Sequence, residues 1–218
     1  MNGTSIRYVA IWPGGLRLAH WLLAAGVLFC LASGWALQQL PADPAFWHDW
    51  HIITGQITAL ALLLRSVLLF VPGSTHWRAL LPKRGQWQAC RQMLRFYLSL
   101  GRAPLPAWYA HNPLWAPVYL LVLAVEAACL ATGFGYSSNW QLLKVPVAQL
   151  HSGSATALAL FTLAHLVASA LHDWKGNGAL ISAMISGKRY FHIRPPQSSL
   201  PDSDRRIEVS FTTRNTRQ

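Results

Sequence analysis

Nine histidines punctuate this chain of 218 residues: His20, His48, His51, His76, His111, His151, His165, His172 and His192. A neutral imidazole is the commonest protein ligand for metals. Six of the nine fall within or at the ends of long apolar runs, where an ionisable side chain is costly and usually functional. His151 and His165 are 14 residues apart on one such run. In a helix that is nearly four turns, so both face one side with a rise of about 21 Å between them. Two flat metal macrocycles stacked across a membrane need such a spacing.

Four runs are long enough to carry these side chains through a bilayer core, which takes about 20 apolar residues as a helix. They are residues 18–37, 47–71, 114–134 and 148–172. Pro41 and Pro44 break the chain between the first two, and Pro146 precedes the fourth. Basic residues set the orientation. Arg7 and Arg17 lie before the first run, and Arg78, Lys83, Arg84, Arg91, Arg95 and Arg102 lie in the 72–113 loop, which has no acidic residue. Lys175, Lys188, Arg189 and Arg194 follow the fourth run, whereas the two other loops together hold only Lys144. Both termini and the middle loop are therefore expected on the cytoplasmic side. The fold class expected is an all-α integral membrane bundle of four transmembrane helices.

That orientation pairs the histidines by depth. The second and fourth helices run in the same direction, which puts His51 level with His151 near the periplasmic end. The first helix runs the other way, which puts His20 level with His165 toward the cytoplasm. Bis-histidine axial ligation is an ordinary way to hold electron-transfer haem, so His20, His51, His151 and His165 are the expected ligands of the iron in two b-type haems. His48, one turn before His51, is a rival ligand. Gly55, four residues after His51, would give a macrocycle clearance, and Gly153 and Ser154 follow His151; small residues also serve ordinary membrane-helix packing. Arg65, 14 residues after His51, would reach a propionate of the deeper haem or would snorkel to the interface. Glu126, in the third run, would carry protons, bind a propionate or bond a neighbouring helix.

Composition narrows the classes further. The chain is 53% hydrophobic and 11% charged, well below the quarter charged that is usual in soluble domains. The net charge of +11 is concentrated beside apolar runs, which positive-inside topology explains without nucleic acid. Cys30, Cys90 and Cys129 form no CxxC or CxxCH, which argues against c-type haem, an iron–sulfur centre or a zinc ribbon. The first apolar run exceeds a signal-peptide core and contains His20, so it reads as a retained helix.

Residues 87–100 mix apolar, aromatic and arginine positions. They fit an interfacial helix on the anionic inner leaflet or a short exposed helix packed on the bundle. Residues 1–192 are expected to form the transmembrane domain, and 193–218 a polar, disordered cytoplasmic tail. No internal repeat is apparent.

RLAHW (17–21), HIITG (51–55) with Arg65, HNPL (111–114), TGF (132–134), the His151/His165 pair and MISGKRY (184–190) together resemble the membrane di-haem cytochrome b subunits of nickel–iron hydrogenases and formate dehydrogenases. The resemblance covers about residues 14–192. It implies a bacterial inner-membrane protein that exchanges electrons between a periplasmic iron–sulfur or catalytic subunit and the quinone pool, with quinone next to the cytoplasmic-side haem. His111, Asn112 and His172, near the cytoplasmic helix ends, are the candidates for quinone binding or protonation. The implied cofactors are two haem b, with quinone as an exchangeable substrate; the partners are the periplasmic subunits and membrane lipid. The chain is then an electron-transfer subunit of an oxidoreductase complex. Three rivals stand beside it: a stand-alone di-haem quinone oxidoreductase, a haem-free proton or ion transporter using Glu126, Arg65 and the histidines, and a purely structural anchor, which leaves the paired histidine depths unexplained.

Overall fold

The computed structural model describes residues 5–40, 43–81, 85–106, 108, 110–175 and 180–193. Strand β1 (Ser5–Ala10) leads into helix α1 (Gly14–Gln39) and helix α2 (Pro44–Leu68). A 3-10 turn (Trp77–Leu80) and helix α3 (Trp87–Leu98) occupy the long middle connection. Helix α4 (Trp115–Phe134), strands β2 (Gln141–Leu142) and β3 (Val145–Pro146), helix α5 (Val147–Lys175), helix α6 (Leu180–Ser186) and strand β4 (Lys188–Ile193) complete the order. Four of these helices, α1, α2, α4 and α5, are long and apolar enough to cross a membrane.

The start of α2 is encoded locally. Asp43 Oδ1 accepts from the Phe46 amide at 3.1 Å and Pro44 sits at the first helical position, which satisfies one orphan donor and removes another. The cap starts the helix three residues before the expected run. The helix also ends earlier, at Leu68, with Leu69 and Phe70 in a turn. Pro41, the other expected breaker, lies outside the described residues, as does the expected tail beyond Ile193.

Helices α1 and α2 pack along each other, as do α4 and α5, whereas the two hairpins touch at few positions. The burial pattern is reversed relative to a soluble bundle. Leu60, Leu63, Leu160 and Leu163 are more than 60% exposed, while Ser33, Thr58, Arg65 and Glu126 are buried. Apolar surface outward and polar groups inward is the arrangement lipid favours. Helices α1 and α2 approach closely at Gly26, where an added Cβ would run into the Thr58 side chain. Small residues at such crossings let membrane helices pack backbone to backbone.

Two small sheets depart from an all-helical reading. β2 and β3 form a short hairpin, and β1 pairs antiparallel with β4, from Ser5 opposite Ile193 to Ala10 opposite Lys188. The β1–β4 pairing joins segments some 180 residues apart, so no local pattern announces it, and it brings both flanks of the bundle to one end. Gly187 locks the junction: its φ is +80°, and a Cβ there would lie 2.7 Å from the Trp12 carbonyl oxygen. Its own carbonyl accepts from the Ile11 and Trp12 amides. Arg17 Nη1 donates to the Ile185 carbonyl, and Trp21 Nε1 donates to the Met184 carbonyl at 3.1 Å. The MISGKRY segment thus clamps the start of α1.

Candidate haem sites

Between the two hairpins the histidines meet in pairs. The His51 and His151 ring centroids are 6.2 Å apart, and those of His20 and His165 are 6.3 Å apart. An imidazole–metal bond is about 2.0–2.1 Å and the ring centroid lies roughly 1.1 Å behind the nitrogen, so two axial imidazoles have centroids about 6.3 Å apart. Both pairs meet that requirement. His48 does not join them: its side chain is exposed, beside Asp49 at 3.6 Å.

At the His51/His151 pair, hydrogen bonds define which ring nitrogen is free. The Cys129 carbonyl can only accept, so His151 Nδ1 donates to it, at 2.8 Å. Ser33 Oγ has one proton, which it gives to the Phe29 carbonyl at 2.8 Å; it therefore accepts from His51 Nδ1 at 2.9 Å. With both Nδ1 atoms protonated, each Nε2 keeps its lone pair for a metal. Fixing the tautomer through the other nitrogen is the usual supporting interaction for ligand histidines. Gly133 gives the His151 ring room, since a Cβ there would lie 3.1 Å from His151 Cε1; a Cβ on Gly34 would make only an ordinary contact with His51 Cε1, at 3.5 Å.

The His20/His165 pair is held by aromatic contacts. Phe161 stacks on His165 at 5.6 Å, Tyr119 meets it edge-on at 6.2 Å, and Trp21 lies 5.2 Å from His20. Arg65 is 7% exposed, and its Nη1 makes no hydrogen bond to any described residue. It lies within electrostatic reach of His20 and His111. A buried guanidinium with an idle donor fits an anionic group such as a propionate. Glu126, 4% exposed, also has an unbonded oxygen, Oε1, and is within reach of Cys30 and Cys129. Gly55 faces open space, with nothing within 4 Å of an added Cβ, as clearance for a planar group requires. Gly153 lies on the exposed side of α5, two residues from His151 and so nearly opposite it, and contributes no clearance at the pair.

The two hairpins are built alike, a correction to the expectation of no repeat. CLASGW (30–35) on α1 matches CLATGF (129–134) on α4, and each segment lies against the histidine of its partner helix. Cys30 Sγ sits 4.0 Å from the His51 carbonyl oxygen, and Cys129 Sγ 3.8 Å from that of His151. Counting ten residues back from each cysteine gives His20 and Tyr119; counting fourteen on from each histidine gives Arg65 and His165. The His51/His151 pair therefore joins equivalent positions. The other pair crosses them, with Arg65 and Tyr119 at the complementary places. The six-residue match was the available signal, but it is too short to stand out before the elements are placed.

At the end of the bundle that carries α3, the three polar candidates separate. His111 Nε2 donates to the Ser74 carbonyl at 2.8 Å, and its ring lies 4.9 Å from that of Trp12. Burial lowers its pKa; the Ser74 bond raises it and Arg65 lowers it further. Asn112 and His172 are brought together by Tyr97, a residue the sequence reading did not single out. The Leu114 amide donates to Asn112 Oδ1 at 2.9 Å, which orients the Asn112 amide group so that Nδ2 donates to Tyr97 Oη at 3.1 Å. Trp115 Nε1 donates to the same oxygen at 2.7 Å. With both lone pairs used, the phenol donates its own proton to His172 Nε2 at 2.8 Å. Burial pushes the Tyr97 pKa up to about 12, against the lowering effect of the Trp115 and Asn112 bonds.

Comparison with known proteins gives the family. The chain is 25% identical to a protein of Bradyrhizobium diazoefficiens described as a probable Ni/Fe-hydrogenase B-type cytochrome subunit, over 84% of this chain and 86% of the relative. A Cupriavidus necator protein with the same description is also 25% identical, over 87% of this chain and 90% of the relative. A third, from Rhizobium leguminosarum, is 25% identical over 85% of this chain and 90% of its own length. The model of the family described as prokaryotic cytochrome b561 matches residues 11–187, which include all four long helices and both histidine pairs. The chain is a multi-pass membrane protein and belongs to the prokaryotic cytochrome b561 family, b-type cytochromes that carry electrons on haem b.

Proposed function

We propose that this chain is the di-haem membrane subunit of a hydrogenase-type complex, carrying electrons between a periplasmic iron–sulfur partner and quinone in the bacterial inner membrane. One observation carries the reading: two histidine pairs, each at the centroid separation of two axial imidazoles, with His151 and His165 about 21 Å apart along α5. Haem b at each pair supplies reversible one-electron chemistry at iron. His51 and His151 would hold one iron through Nε2, with Ser33 and the Cys129 carbonyl holding their Nδ1 protons. His20 and His165 would hold the other, and Arg65 Nη1 would be available to neutralise a propionate. The hydrogenase partner is inferred from the relatives' descriptions, and the cytoplasmic placement of both termini from the basic segments.

Quinone reacts at the end holding His111, Asn112 and His172. The Tyr97 hydroxyl holds Asn112 and His172 in place there, and His111 borders Tyr119, which contacts His165. The decisive test is a reduced-minus-oxidised spectrum of the purified protein, with haem quantified per chain as the pyridine haemochromogen. Two b-type haems per chain are expected. A folded, fully loaded preparation with one haem or none would refute the di-haem assignment.

A further inference from the structure

Helix α3 has three distinct outward strips besides the face it packs on the bundle. Met93 and Phe96 are buried. Phe96 stacks on His172 at 5.7 Å, and Cys90 Sγ lies 3.5 Å from the Pro113 carbonyl oxygen. The turn that follows packs Gly101 against Leu171 and Lys175. The helix therefore lies across the bundle, level with the last turn of α5 and the first of α4, where the spans leave the hydrocarbon.

At about 100° per residue, the outward positions come in a fixed order around the axis. Leu94, Trp87 and Leu98 come first, then Arg91 and Arg95, then Gln88 and Gln92, which border Phe96 again. The apolar strip is uncovered: Trp87 is 75% exposed, Leu94 48% and Leu98 78%. Both arginines are exposed, and with Leu94, Leu98 and Ser99 they line a shallow groove. No aspartate or glutamate occurs between residues 72 and 113. Apolar, then cationic, then neutral polar is the order a helix meets on passing from acyl chains through headgroups to water.

We propose that α3 is a binding site for an anionic phospholipid of the leaflet at this end of the bundle. Its phosphate is held between Arg91 and Arg95, and its acyl chains lie over Trp87, Leu94 and Leu98. Charge complementarity and headgroup depth select a lipid over a soluble anion, since a soluble anion would leave the apolar strip in water. The proposal stands apart from the redox reading and needs neither haem nor quinone. Occupancy of the site would pin the segment that carries Tyr97 and, through it, the end of α5.

The full chain in nanodiscs of mixed phosphatidylcholine and phosphatidylglycerol provides the test, with native mass spectrometry counting the lipids that leave with the protein. The parent should carry phosphatidylglycerol in clear excess over its share of the bilayer. Each juxtamembrane arginine is worth about fivefold in anionic-lipid association, so Arg91→Gln/Arg95→Gln should reduce the enrichment roughly 25-fold. Both side chains are exposed, so haem content should not move. Leu94→Asn/Leu98→Asn, which leaves charge unchanged, should also lower the enrichment. Equal phosphatidylglycerol retention by the parent and the arginine variant would overturn the proposal. Parental retention by the leucine variant would also overturn it, showing that the apolar strip faces water or a protein partner.

Discussion

Replacing Tyr97 by phenylalanine removes one oxygen and leaves the ring, so the contacts of Tyr97 with Phe96, Trp115 and His172 stay. What is lost is the hub that accepts from Trp115 at 2.7 Å and Asn112 at 3.1 Å and donates to His172 at 2.8 Å. Asn112 is 7% exposed and His172 5%, so water does not readily replace the missing partner. A buried polar group left unpaired costs about 1–3 kcal/mol. Three such groups would cost most if none re-paired; Asn112 Nδ2 turning toward His172 Nε2 would satisfy two of them and leave Trp115 Nε1 unpaired, at about 1–3 kcal/mol. For a chain of this size that corresponds to a fall in Tm of roughly 2–12 °C. The assay is thermal unfolding of the haem-loaded protein in one detergent, followed by near-UV circular dichroism and by the Soret band. A Tyr97→Phe protein melting within about 1 °C of the parent would refute the hydrogen-bond assignment and, with it, the role of His172 as proton acceptor.

Haem content should follow the histidine pairs. His51→Ala or His151→Ala is expected to lose one haem and keep the other, and His20→Ala or His165→Ala to lose the complementary one. His48→Ala should retain both; loss of a haem from it alone would displace His51 as the ligand. Gly26→Ala drives a methyl into the Thr58 side chain, with Thr58 Cβ only 3.1 Å away, so α1 and α2 must shift at a cost of about 1–3 kcal/mol. Adding Thr58→Ala should restore much of the lost thermal stability, and strictly additive effects in that double-mutant cycle would contradict the contact. The pKa of folded His111 lies below its ordinary value because of burial. The unfolded chain therefore takes up a proton first as pH falls through about 6.5, and stability drops on acidification. His111→Gln should shrink the difference in Tm between neutral and mildly acid buffers; an unchanged difference would remove His111 as its source.

Much of the fold was legible because a membrane imposes simple rules on sequence. Four apolar runs had to become helices, since no other open-chain element can satisfy its backbone in lipid. The 14-residue His151–His165 interval and the depth order of His20, His51, His151 and His165 depend only on helical geometry and direction, so they could be read from the sequence. Long-range features were not legible in this way. The β1–β4 pairing and the Gly187 junction join residues from opposite ends of the chain, and neither strand signals its partner. The free Nε2 atoms of His51 and His151 depend on Ser33 and the Cys129 carbonyl, brought up from neighbouring helices. Tyr97 looked like one aromatic among many until packing placed its hydroxyl among Asn112, Trp115 and His172. Periodicity and charge determined which residues lie on which helix at which depth, because those properties belong to each segment alone. Which nitrogen is protonated, which buried donor is left idle and which hydroxyl becomes a hub were decided only by tertiary structure, because a hydrogen bond requires both partners in place.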